Sequence, residues 1–167
     1  MTDLMIIHPD PQVRAHLVKV MLDNDDLGPD IDFDIDEAPD LETAALREPR
    51  PDVMLTHLPT ARDKHGQPML PDRLLFVPNV MVIEDHEPMS LGWALTLGPA
   101  GVVLPDSDPG LIRGAVVAAM HNAGIVLDNS LAAVAAELLR MSIEADEEEA
   151  AAEDAARTRA AEAADTD

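Results

Sequence analysis

The chain has 167 residues and a formal charge of −22, with no cysteine and only three aromatic side chains, Phe33, Phe76 and Trp93. Such a charge repels a phosphate backbone at physiological salt, and so few aromatics give bases nothing to stack on, so direct nucleic-acid binding is not expected. The absence of cysteine excludes disulfides, thiol catalysis and thiolate metal sites, and no apolar stretch reaches the length of a membrane span or the pattern of a signal peptide, so the expected location is cytoplasmic.

Leu4 to Ile7 is an uninterrupted apolar run that reads as a strand buried on both faces, ending at His8-Pro9-Asp10. Asp10 is a cap and Pro11 a first-turn residue for a helix over 11–22, with Val13, Leu17, Val20 and Met21 on one face. Asn24 to Asp30 has loop composition. Ile31 to Asp36 then alternates apolar and acidic residues, as an edge strand with one wet face does. A short helix over Leu41 to Leu46, capped by Asp40, leads to a second buried strand, Val53 to Thr56, with His57 at its carboxyl end.

The stretch 58–78 holds four prolines and offers at most one or two helical turns over Pro71 to Phe76. Val80 to Ile83 is the next buried strand and runs into Glu84-Asp85-His86-Glu87. A helix over Met89 to Leu97, a strand over Gly101 to Leu104 and a helix from Asp108-Pro109 to near Gly124 complete the repeat. Five strands, each followed by a helix, predict an α/β domain: a flavodoxin-like five-stranded parallel sheet with helices on both faces, over residues 1–126. Asp128-Asn129-Ser130 caps a further helix over 127–141. Residues 142–167 are alanine mixed with ten carboxylates against two arginines, an acidic tail with no apolar face to dock and the composition of a frayed helix or a disordered segment.

In such sheets ligands collect at the carboxyl ends of the strands. Those ends carry His8, Asp10, His57, Glu84, Asp85, His86 and Asp106. Two readings are open. His8, His57 and Glu84 form a locked pocket in which contact with Glu84 or backbone groups raises the histidine pKa values, or the same three residues hold a divalent metal or border a small-ligand site.

Leu4 to Arg14, Glu37 to Ala44, Arg50 to Leu55 and Gly98 to Ile112 together resemble a response-regulator receiver domain, above all the receivers that precede a LuxR-type DNA-binding domain. The resemblance covers roughly residues 3–141. It implies a phosphorylation pocket with an acidic pair, an aspartate nucleophile, a switch hydroxyl, a lysine and a swinging aromatic, the carboxylates serving a magnesium ion. In this register those positions hold His8 and Pro9 beside Asp10, then His57, Glu84, Pro105 and Val102. The pocket is therefore degenerate, and no catalytic residue and no cofactor are expected. The resemblance implies a non-enzymatic, phosphorylation-independent pseudo-receiver in signal transduction or transcriptional regulation. It would bind a regulator or kinase, or a second copy of itself, through the helices over 89–97 and from 109, with Trp93, Leu97, Asp106 and Leu111 at the surface. The alternative is a metal- or small-ligand sensor built on His57. An acidic tail where such receivers carry a DNA-binding module points to a protein partner.

Overall fold

The computed structural model describes residues 1–23 and 32–142, together with 144, 145, 148 and 152. The loop expected at 24–30, and the tail beyond 142 apart from those last four helical residues, lie outside the described residues. Strand β1 is Thr2–Ile7, β2 Phe33–Ala38, β3 Val53–His57, β4 Asn79–Val82, β5 Gly101–Val103 and β6 Val126–Leu127. Helices α1 (Pro11–Leu22), α2 (Leu41–Ala45), α3 (Pro88–Thr96) and α4 (Pro109–Met120) connect them, and α5 spans residues 132–142. All pairings are parallel, in the order β2-β1-β3-β4-β5-β6.

The first five strands have the flavodoxin-like order that the alternation predicts. The sheet nevertheless has six strands. Val126 and Leu127 pair with Gly101 and Val102, so the segment divided above between domain and terminal helix is part of the sheet. Two residues show no period of 2, which is why the pattern does not reveal them. Gly101 makes the pairing possible, since a Cβ there would lie 3.0 Å from the Val126 carbonyl oxygen and 3.2 Å from the Ala115 Cβ.

The helix count also changes. Among the described residues the third connection has no α-helix, only a turn of 3-10 helix at Asp72–Leu74, where prolines at 59, 68, 71 and 78 keep every run of amide donors short. Its outer part folds back on itself through a bridge between Arg62 and Pro68, with Asp63 Oδ1 accepting from the amides of His65 and Gln67 at 2.7 and 2.9 Å.

Alternate residues of each strand face opposite layers. Leu4, Ile6, Val53, Leu55, Val80, Val82 and Val103 pack against α1 and α4, through Leu17 and Met21 on one and Ile112 and Val116 on the other. Met5, Ile7, Met54, Met81, Ile83, Val102 and Leu104 pack against α2, Leu74, α3 and the start of the terminal segment, where Leu131 is fully buried and Val134, Ala135 and Leu138 join the cluster. Each such aliphatic side chain contributes roughly 1.5–3 kcal/mol, against at most about 1 for an exposed ion pair, so the core holds the fold despite the charge. At the β2 edge Asp34 and Asp36 point to solvent while Phe33 and Ile35 are half-buried. No described helix is long and apolar enough to cross a membrane.

Candidate functional site

β1 lies between β2 and β3, and the chain leaves it in opposite directions along the sheet, so the crevice of the fold opens at the tips of β1 and β3. His8 follows the last residue of β1 and is fully buried, while His57 ends β3 half-buried. Their rings meet edge to face, with centroids 5.7 Å apart and planes at 67°. The Asp10 amide donates to His8 Nδ1 at 3.1 Å, which leaves the ring proton on Nε2. Nε2 faces Glu84 Oε1 at 3.3 Å, off the line of a hydrogen bond. The Glu84 side chain is 68% exposed, so water screens the contact. Below the rings Thr56 is buried and donates from Oγ1 to the His57 carbonyl at 3.2 Å.

Contact with Glu84 was the reason to expect a raised histidine pKa, and for His57 the direction is the reverse. Burial holds its imidazole below the ordinary value, with the nearby His8 acting the same way, and the Ile7 carbonyl, Glu84 and Asp40 do not offset it. Losing hydration costs the imidazolium more than a mostly solvated carboxylate returns. His57 is therefore neutral at pH 7.

A cavity of about 280 Å³ opens beside His57, lined by Asp40, Glu42, Leu41, Thr60, Met69 and Leu70 among others. It holds two carboxylates and no lysine or arginine. Asp40 Oδ1 accepts from the Thr43 amide at 2.7 Å as the cap of α2, and this bond, followed by the Thr43 side chain, keeps its carboxyl below the usual range.

The other expected pocket residues divide. Asp10 is exposed and its carboxylate caps α1, accepting from the Gln12 amide at 2.7 Å. Pro9 is exposed, and Pro105 shares with Asp10 a shallow groove that does not include His57. Val102 does not reach the pocket: it points from the middle of β5 into the core and is fully buried. Among the described residues no group of three His, Asp or Glu side chains is arranged to hold a metal ion.

The four residues expected at a partner surface are not gathered into one. Trp93 is half-buried, with the Arg62 guanidinium 4.5 Å from its ring centroid, a cation–π contact that the third connection supplies. Leu97 lines a groove at the amino ends of the strands, whereas Asp106 and Leu111 border another at the carboxyl ends. Between α3 and α4 the exposed edge of β5 is covered by β6, and Leu138 of α5 approaches Gly92 of α3.

A second polar group stands at the tips of β5 and β6, and the sequence does not announce it. Asp128, buried, accepts at Oδ1 from the Ser130 amide at 2.8 Å and its hydroxyl at 2.7 Å, and at Oδ2 from the Ser107 hydroxyl. The Leu104 amide donates to Ser107 Oγ at 2.8 Å, and His86 Nε2 lies 3.1 Å from Ser130 Oγ. The Ser107 hydroxyl is the main cause of the lowered Asp128 pKa. The only signal was Asp-Asn-Ser at 128–130 as a helix cap; the partner Ser107 arrives through the β5–β6 pairing.

No family model and no curated protein matches the sequence. Solved structures do. The Salmonella typhimurium response regulator RcsB matches with a TM-score of 0.63 at 18% identity, over 84% of this chain and 67% of that one. The isolated REC domain of RcsB from Salmonella enterica serovar Typhimurium, in the presence of the phosphomimetic BeF3−, matches at 0.57 and 18%, over 80% and 97%. The response regulator ChrA of a heme-sensing two-component system matches at 0.60 and 21%, over 81% and 64%. The chain thus spans about two thirds of the first and third of these chains and nearly all of the isolated domain, and the likeness establishes a receiver-like fold.

Proposed function

We propose that this chain is a non-enzymatic pseudo-receiver, a protein-interaction module of signal transduction or transcriptional regulation that works without phosphoryl transfer. The observation that carries the reading is the surroundings of His57. A phosphoryl group arriving at the tip of β3 would meet Asp40 and Glu42 in the cavity and Glu84 above the rings, with no cationic side chain lining the cavity to neutralise it. Phosphoryl transfer depends on such neutralisation. A neutral imidazole is the nucleophilic form of histidine, yet positioned charge is what the reaction requires, and here its sign is wrong. The domain is left to act by binding a protein partner.

The test is intact-mass analysis after incubation with acetyl phosphate and magnesium, in buffers that preserve phosphohistidine. The expected result is no adduct and no change in oligomeric state. An adduct that His57→Ala abolishes would overturn the reading. Recovery of the same partner by wild type and His57→Ala from the native organism would support it.

A further inference from the structure

We propose that the amino-terminal ends of the strands carry a docking surface for a protein segment that is apolar on one side and basic on the other. The inference rests on the reading above, that the chain acts through a protein partner, and it names the surface and the partner's chemistry. A groove of about 350 Å³ lies between the segment leading into β4, the end of α3 and the segment leading into β6, walled by Leu75, Phe76, Leu97 and Ile125. None of its lining residues is charged, although 26% of the chain is. Phe76 is 83% exposed, Ile125 60% and Leu75 49%. Phe33 and Trp93 are at least half-covered by their own chain, so Phe76 alone of the three aromatics is left in water. An uncharged patch with a projecting aromatic on an otherwise highly charged surface has the character of an interaction site, and a buried aromatic is the usual anchor of such contacts.

The charge around the groove selects the occupant. At the amino ends of β1 and β2 a cleft of about 410 Å³ opens between the strands and the loop after α2, and Asp3, Asp34, Asp36 and Glu48 line it. Asp36 is paired with Arg47 and Glu48 with Arg73, while Asp3 and Asp34 make no ion pair among the described residues. Arg73 stands two residues before Leu75, so its 2.6 Å contact with Glu48 ties the acidic cleft to the apolar groove along one end of the sheet. A second copy would bring the same cleft and another −22 charges, and nucleic acid or an anionic membrane is repelled in the same way. A segment whose apolar side chains cover Phe76 and whose lysines or arginines reach Asp3 and Asp34 matches both halves.

The experiment is fluorescence anisotropy of a labelled amphipathic leucine–lysine peptide against the full chain at several salt concentrations. Phe76→Ser should weaken binding by about tenfold, the effect expected of an anchor side chain. The pair Asp3→Asn/Asp34→Asn should weaken it by about fivefold and flatten the salt dependence, while Glu87→Gln, at the opposite end of the strands, should change it less than about twofold. Phe76 is at the surface, so the circular dichroism and melting temperature of its variant should match wild type. Wild-type affinity in Phe76→Ser, or a loss in Glu87→Gln as large as in the acidic pair, would overturn the proposal, as would a peptide that fails to bind. A dimer dispersed by Phe76→Ser would assign the groove to a second copy and overturn the basic partner. A phosphoryl adduct on His57 would defeat the pseudo-receiver and leave these measurements unchanged, whereas their failure leaves the pseudo-receiver with a partner docked elsewhere.

Discussion

The two polar groups at the carboxyl ends of the strands differ in how completely they are satisfied. Around Asp128 both carboxylate oxygens are occupied, Ser107 both donates and accepts, and Ser130 is shared with His86, so the group closes on itself. At the tips of β1 and β3, His8 Nε2 and His57 Nδ1 are buried without a well-formed hydrogen bond among the described residues. A saturated buried network fixes geometry, whereas a half-satisfied one leaves charge state to desolvation. The first holds the β6–α5 extension on the sheet. The second keeps an imidazole neutral where the fold elsewhere places its chemistry.

If the extension is part of the core and not an appendage, Leu131→Ala should be the most damaging change. The side chain is fully buried in the core cluster that includes Leu91 and Ala94 of α3, and its removal should cost about 2–5 kcal/mol in urea unfolding, in a single transition. A loss below about 1 kcal/mol would show that the extension docks loosely. Asp128→Ala comes next, with an expected cost of about 1–3 kcal/mol from unpaired Ser107 and Ser130 groups.

The two groups also predict different pH dependences. Asp128 has a lowered folded pKa, so its stabilisation is complete above the ordinary aspartate value of about 3.9 and is lost as pH falls through the folded value. Melting of Asp128→Ala should accordingly be less acid-sensitive than wild type in that range. His57 is also depressed, but from about 6.5: above that pH it is neutral in both states, and below it the unfolded chain binds a proton that the folded chain resists. Wild type should lose stability as pH falls below about 6.5, and His57→Gln should lose less. Equal slopes would show that the ring is not desolvated as placed. The smallest effect is expected of Glu84→Gln, within about 0.5 kcal/mol at neutral pH, since the carboxylate is mostly solvated and not aligned on His8.

Most of the architecture was legible because burial imposes composition. A parallel strand covered on both faces must be apolar throughout, and Leu4 to Ile7, Val53 to Leu55 and Val80 to Ile83 have no other use. Asp10, Asp40, Asp108 and Asp128 mark helix or turn starts because the chemistry of a cap is local, and each accepts from an amide two or three residues on. β2 runs on to Ala38, two residues past the expected end at Asp36, since alternation identifies a wet face but not where pairing with β1 stops; Ile31, the expected first residue, lies outside the described residues. The meeting of His8, His57 and Glu84 followed from strand order alone.

What only the tertiary structure decided depends on contacts between residues far apart in the chain. A two-residue strand exists because Gly101 lets Val126 approach, and Trp93 is covered because Arg62 folds back over it. The direction of the His57 shift is set by desolvation, which no local pattern records. The sequence by itself therefore determined the order of the first five strands, four of their helices and the residues at the strand tips, through periodicity and local hydrogen bonding. The packing decided which of those residues are neutral, which are latched, and which apolar side chains remain in water.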